Sequence, residues 1–290
     1  TLRKHTSRIK GGRLARACYP ATVVSLILSD VVGDDLDIIA SGPTVPDPGT
    51  FRDCMTIVSR YRLNNKLPEA VMRHLQNGVD GKIEETPKPE NNVFKNVWNV
   101  IIANNFEALD AAARSALSLG YTPLILSSMI EGETRDVAFF HAAVIKEIIK
   151  SNHPLAPPAC VLSGGETTVT LKGKGLGGRN QEFVLASTLH LEGLANFVLL
   201  SAGTDGTDGP TDAAGAIMDA ETPRRSAALD MDARDYLNRN DSYPFFRRLG
   251  DLFITGPTHT NVMDLRIALI GKQRNMTARK AENTKDRDMP

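Results

Sequence analysis

Three short stretches of this 290-residue chain carry residue types that can do chemistry. The first, GKGLGGRNQE, places Gly173, Gly175, Gly177 and Gly178 directly ahead of Arg179. Glycine loses more backbone freedom on ordering than any other residue, so such a run implies close backbone approach to a ligand or a mobile surface loop. Its amides, with Lys172, Lys174 and Arg179, suit a phosphate or carboxylate, and the planar arginine fork grips such oxyanions with two hydrogen bonds. The run is not a GxxxxGK[ST] phosphate loop. Gly173, Gly175 and Gly178 fit GxGxxG literally, but a dinucleotide fingerprint also needs a βαβ setting and a later acid. The second stretch, SAGTDGTDGPTDAAG, puts Asp205, Asp208 and Asp212 just past a predicted strand end, where open α/β sheets bind ligands. Close carboxylates repel unless a proton or cation joins them, and Mg²⁺ takes such oxygen ligands. The same aspartates equally suit Asx turns and helix caps. The third, LSGGETT, sets Glu166 after a Gly164-Gly165 turn, where it can accept from a ligand hydroxyl or coordinate a metal.

Weaker candidates surround these. HTSRIKGGR brings His5, Arg8, Lys10 and Arg13 beside two glycines, an oxyanion corner or a solvated charged face. Ser41 and Gly42 lie in the Pro-rich turn ASGPTVPDPGT and offer backbone amides to an anion. TGPTHTNVMD supplies Thr258, His259, Thr260, Asn261 and Asp264 for contacts to a polyol or phosphate. Neither HExxH nor GxSxG occurs, so a zinc protease or a nucleophile-elbow hydrolase has no support.

Elements that position these residues follow from punctuation and periodicity. Residues 20 to 30 read as a buried strand, and 52 to 78 as a helix in two pieces broken near Pro68. A strand over 97 to 103, an alanine-rich helix closed by Gly120 and a strand over 121 to 128 read as a βαβ crossover. A helix follows from Thr134 to Lys150, and the Pro-rich SNHPLAPPA marks a hinge or domain boundary. Beyond it, ACVLSG and TTVTLKG read as strands, NQEFVLASTLHLEG as a helix, ANFVLLSAG as a strand, and DLFITGPTHTNVMDLRIALIG as two strands around a polar loop. Lysines plus arginines equal aspartates plus glutamates at 34 each, which gives no support to a nucleic-acid partner. No apolar run reaches membrane length. Three scattered cysteines, Cys18, Cys54 and Cys160, make neither a zinc pattern nor a disulfide framework.

KHTSRIKGGRLARA, SLILSDVVGDDLDIIASGPTVPD, LSGGETTVTLKGKGLGGRNQE, SAGTDGTDGPTDAAGAI and GPTHTNVMDL, in this order, resemble the type 2 glycerate kinase family. The resemblance implies an α/β chain: the remainder of a Rossmann-like parallel-sheet domain over residues 1–156, a MOFRL-like α/β domain over 157–275, and a tail over 276–290. It implies an ATP- and Mg²⁺-dependent kinase acting on D-glycerate, mostly giving 2-phosphoglycerate, with its site in an interdomain cleft. Arg179 would then clamp glycerate carboxylate or the transferring phosphate, and Lys10 would help bind an anion. Asp205 and Asp208 would hold the metal, with Asp205 the choice for a base. Ser41, Gly165, Glu166, Gly177, Gly178, Asn180, Thr204, Thr258 and Asn261 would contact substrate or phosphate. Family members are considerably longer, and this chain begins where their KGGR segment lies, so an amino-terminally truncated or alternatively spliced member is expected. Two competing readings remain open: a noncatalytic fragment that binds a small anion or a partner, and a nicotinamide-dependent oxidoreductase. Cytoplasm or mitochondrion, and a homo-oligomer, are compatible with all of these.

Overall fold

The computed structural model describes residues 1–272, so the expected tail over 276–290 lies outside the described residues. The chain is α/β and divides into two compact units, 1–104 and 105–290.

In the first unit, α1 (Leu2–His5) and α2 (Arg13–Cys18) precede β1 (Val23–Leu28), and α3 (Phe51–Arg60) and α4 (Glu69–Val79) precede β2 (Val97–Ala103). Thr50 and Asp53 form a reciprocal capping box at the start of α3. Pro68 caps α4, which accounts for the break expected there. Phe51, Cys54, Val58 and Leu75 form the core between these two helices. β1 and β2 pair in parallel, Val24 opposite Trp98 and Leu26 opposite Val100. The expectation of a fully buried first strand fails. Burial alternates along it, and Val24, Leu26 and Trp98, 65% exposed, share an uncovered face.

The second unit runs α5 (Asn105–Ser118), β3 (Thr122–Ile130), α6 (Thr134–Ser151), β4 (Ala159–Gly165), α7 (Arg179–Leu191), β5 (Phe197–Gly203), β6 (Gly215–Asp219), α8 (Thr222–Ala228), α9 (Ala233–Asn238), α10 (Ser242–Leu249), β7 (Leu252–Phe253) and β8 (Asp264–Ile270). Its six strands are ordered β3-β4-β8-β5-β6-β7. β3 and β4 are parallel, and the other pairs are antiparallel. The expected crossover through α5 is thus not one: β2 and β3 belong to different sheets. The parallel connection runs instead from β3 through α6 to β4. TTVTLKG is not a strand either. Its only sheet-like contact among the described residues is a bridge from Thr168 to Glu133.

The period of two along each strand sorts side chains between two helical layers. Cys160 and Leu162 of β4 meet Leu109, Ala113 and Ala116 of α5, joined by Leu265, Ile267 and Leu269 of β8. Ala159 and Val161 face the opposite way, with Ala268 and Ile270, into a core built on Ile145 and Ile148 of α6 and Phe183 and Leu185 of α7. By this parity Asp264 and Arg266 of the central strand β8 point to the α6–α7 side. Among the described residues, no helix is long and apolar enough to cross a membrane.

In α4, Gly78 packs on the Phe51 ring, and a methyl group there would lie 2.2 Å from Phe51 Cγ. Gly78→Ala gains about 1 kcal/mol in helix propensity, but overpacking a core costs about 1–3 kcal/mol. The variant should therefore unfold at lower urea concentration than the wild type, followed by circular dichroism. A raised midpoint would show that α3 and α4 part without cost.

Candidate active site

The site forms where β4 and β5 end, β8 begins and α7 starts. Asp264 lies between Gly165 of β4 and Gly203 of β5, and the next row of the same face is Ser163, Arg266 and Ser201. Glycines on both sides of Asp264 leave its carboxylate, fully buried, room to be reached from above. Arg179, the first residue of α7, reaches it with two hydrogen bonds, Nε to Oδ2 at 2.7 Å and Nη2 to Oδ1 at 3.0 Å. Arg179 Nη1 donates to Glu166 Oε1 at 2.7 Å. Burial opposes the charge on Arg179, but the bonded Asp264 carboxylate outweighs it and raises the guanidinium pKa.

Asn180 is buried and fully committed within this layer. Its amide nitrogen donates to Asp264 at 3.0 Å and Asp208 at 3.3 Å, and its oxygen accepts from Ser201 at 2.6 Å. Asn180 thus bridges Asp264, Asp208 and Ser201. Arg266 is 1% exposed, with its guanidinium 5.3 Å from the centre of the Phe183 ring. It donates to Thr167 at 3.3 Å and lies 3.6 Å from Asp264. Burial lowers its pKa, and Asp264 opposes that shift.

Asp208 has a different task from the metal binding expected of it. Gly178 begins α7 without a side-chain cap. Asp208 supplies one from the loop after β5: Oδ1 accepts from the Asn180 amide at 3.0 Å and Oδ2 from the Gln181 amide at 2.9 Å. The Gln181 side chain adds a third donor at 3.0 Å. Donors therefore surround both oxygens, and a cation placed there would be repelled by them. Burial lifts the Asp208 carboxyl above its ordinary range; the two backbone amides pull the other way, and the charge of Asp264 adds to the lift.

The glycine run has its explanation here. A methyl group at Gly173 would come within 2.1 Å of the Arg239 carbonyl oxygen, and one at Gly178 within 2.3 Å of Asp208 Cγ. The run lies hard against residues 239–242 and against the capping carboxylate. Part of its amides are spoken for: Gly173, with the preceding Lys172, donates to Asn240 Oδ1, Gly175 to the Arg239 carbonyl and Leu176 to Asp241, while those of Lys174, Gly177 and Gly178 make no hydrogen bond among the described residues. The first half of the run is thus tied into the unit, while Gly177 and Gly178 line the cavity described next.

These elements enclose a cavity of about 360 Å³ lined by Glu166, Thr167, Thr168, Gly177, Arg179 and Glu182, among others. Glu182 is held by Arg135 at 2.7 Å and Asn240 at 3.0 Å. Arg135 and Asn240 were not singled out from the sequence, since neither sits in a motif that marks it. Asp264 was seen only as one polar residue of its loop.

Asp205 lies at the turn after β5, half-buried, with Oδ1 accepting from the Thr207 amide at 2.9 Å. Thr204 and Thr258 bind backbone: the Thr204 hydroxyl donates to the Met263 carbonyl at 2.7 Å and that of Thr258 to the Thr204 carbonyl at 2.6 Å. Asn261 accepts from the Met263 amide at 3.0 Å. Gly165 has φ +112°, and a methyl group on it would lie 2.3 Å from the Ile130 carbonyl oxygen, so it is needed for the turn itself. Lys10 and Ser41 belong to the first unit, where Lys10 Nζ donates to the Ala40 carbonyl at 2.7 Å and Ser41 has φ +63°. Among the described residues, no group of three or more His, Cys, Asp or Glu side chains could hold a metal ion.

Residues 159–264, which contain this site, match the MOFRL family. Residues 1–76 match a Domain of unknown function (DUF4147). Glycerate 2-kinase of Pyrococcus horikoshii is 42% identical over 96% of this chain and 62% of that protein. Glycerate kinase of Macaca fascicularis is 39% identical over 93% of this chain and 78% of that protein. A crystal structure of a glycerate kinase from Thermotoga maritima superposes with a TM-score of 0.81 at 44% identity, covering 93% of this chain and 62% of that one. The chain belongs to the glycerate kinase family. It spans 62% of the length of the Pyrococcus relative.

His141 of α6 closes the layer from behind, with Nδ1 2.8 Å from the Val137 carbonyl and Nε2 2.7 Å from Ser163 Oγ. Burial lowers its pKa from 6.5 to about 4, the Val137 carbonyl opposing and Arg266 assisting. The unfolded chain takes up a proton at the ordinary value, and the folded chain refuses it until about 4. Stability from this group is thus complete above the ordinary value and lost as pH falls toward 4. At about pH 5 the loss should be roughly 2 kcal/mol. Urea unfolding at about pH 7 and about pH 5 should show a smaller drop for His141→Gln than for the wild type. Equal drops would mean that His141 titrates normally.

Proposed function

We propose that this chain acts in the ATP-dependent phosphorylation of D-glycerate to 2-phosphoglycerate. The observation that carries this reading is Arg179: one edge of its guanidinium is locked on Asp264, and the residue lines the cavity. A charged, pre-oriented guanidinium in a partly desolvated pocket suits a carboxylate or a transferring phosphoryl group. Kinship with glycerate kinases supplies the substrate class.

In such a reaction ATP supplies the phosphoryl group and Mg²⁺ offsets charge on its phosphates. Mg²⁺ sites commonly use one or two carboxylates, with phosphate and water completing the shell. Asp205 fits that demand, because its Oδ2 carries no hydrogen bond among the described residues and it is accessible at a strand end. Asp208 does not fit it. Phosphoryl transfer rests mainly on positioning and charge stabilisation, and that is what Arg179 offers. Lys10 and Ser41 are proposed as anion contacts within the first unit itself.

The test is a coupled ADP-release assay of the 290-residue chain with D-glycerate, ATP and Mg²⁺. Arg179→Lys keeps a positive charge beside buried Asp264 and so protects the fold, yet loses the two-pronged geometry. It should lower kcat/KM on the order of 100-fold. Glycerate-dependent turnover unchanged in this variant would remove Arg179 from the site. No turnover from folded wild-type chain would overturn the kinase reading for this chain.

A further inference from the structure

We infer that the 290-residue chain pairs with a second copy of itself through the uncovered face of the β1–β2 sheet. Every residue of this surface lies in the first unit.

β1 and β2 are sorted the opposite way from a strand pair that faces water. Val24, Leu26 and Leu28 of β1 and Trp98, Val100 and Ile102 of β2 point outward, all of them apolar and between 42% and 67% exposed. Polar side chains of the same strands point inward. Ser25 donates to Thr44 Oγ1 at 3.1 Å, and the Asn99 side-chain amide donates to the Thr44 carbonyl at 3.4 Å. These inward bonds fix which face lies outside, because a slip of one residue would exchange the two faces. Parallel sheets are normally covered on both faces, and an isolated pair of strands is marginal in water. A contiguous apolar patch of this kind marks an interaction surface.

The chemistry of the face selects its occupant. None of the six side chains is charged, and the Trp98 indole N–H is their one polar group. Such a face recognises a partner by area and shape, so the partner must be equally apolar and flat. A second copy offers that surface at equal concentration, and a two-fold axis sets the two faces against each other. Covering Trp98 and five aliphatic side chains removes on the order of 600 Å² per copy, about 1,200 Å² in total, which reaches the lower end of specific interfaces. The formal net charge of the chain is 0, so two copies meet without net repulsion. A two-fold contact also closes on itself, so association stops at the dimer. The other candidate occupant is further polypeptide of the kind by which the relatives are longer, since the chain spans 62% of the Pyrococcus protein.

Trp98 is the only tryptophan in the sequence, so its fluorescence reads this face alone. The experiment is sedimentation velocity of the full chain over a dilution series from about 0.1 to about 100 μM, with Trp98 emission recorded on the same samples. The chain should pass from monomer to dimer, and Trp98 emission should move to shorter wavelength over the same concentrations. Val24→Lys puts a charge opposite Trp98 at an exposed position. It should keep the circular dichroism of the wild type and raise the dimer dissociation constant about 100-fold. Leu119→Lys, at an exposed leucine outside the face, should leave both readouts as in the wild type. A wild type that stays monomeric with Trp98 emitting at long wavelength leaves the face to another polypeptide segment and overturns the inference. Short-wavelength emission independent of concentration shows the face covered within one chain, and overturns it too. So do association beyond the dimer, a dimer that survives Val24→Lys, and a dimer that forms without a change in Trp98 emission. Should Val24→Lys fail to fold, coincidence of the sedimentation and Trp98 transitions in the wild type decides.

Discussion

A carboxylate with no exposure to water, on the central strand of a sheet, is the constraint around which the second unit is arranged. Desolvating an ion costs several kcal/mol unless charge and hydrogen bonds compensate within the interior. Asp264 is compensated on every side. Arg179 binds it with two hydrogen bonds, Asn180 adds a third, and Arg266 lies 3.6 Å away. For these groups to arrive together, the first turn of α7 must sit directly above the start of β8. The neighbouring strand positions must be small, and they are Gly165 and Gly203. The arginine is thereby oriented before any ligand enters.

Asp208 solves the companion problem at the same place. Helix N-termini expose amides that need acceptors. With glycine at the N-cap of α7, those amides would be open to an external anion, as the motif suggests. A buried aspartate from another loop fills that role instead, and Gly178 has no side chain because Asp208 stands where one would be. The helix dipole favours this internal carboxylate as it would a phosphate. The cavity is lined by the side chains of Arg179 and Glu166 together with the backbone of Gly177 and Gly178.

Wherever a local signal set the structure, the chain was legible. Pro68 separates α3 from α4, Gly120 follows α5, and the apolar runs of β5 and β8 lie where their composition puts them. Arg179 and Glu166 stood out in the sequence as charged residues placed directly after glycine turns, and both line the cavity. The partners did not stand out. Nothing in LNRND marks Asn240 as the acceptor for the glycine run, and nothing near Thr134 marks Arg135 as the partner of Glu182. Likewise the strand–helix–strand spacing from 97 to 128 looked like one crossover, although β2 and β3 pair in different sheets.

The sequence by itself determined the segments with strong local signals, such as α5, α6, β5 and β8, because periodicity and the conformational limits of proline and glycine act within a few residues. Its ordered motifs also determined the family. Only the tertiary structure decided what the motif residues do. The same aspartate can cap a helix, close an Asx turn or hold a cation. The choice is made by which donors or charges the fold brings within about 3 Å. Asp208 meets four N–H groups from Asn180 and Gln181, 28 and 27 residues away in the chain, and becomes a cap. Asp264 meets an arginine 85 residues away and becomes the anchor of the site.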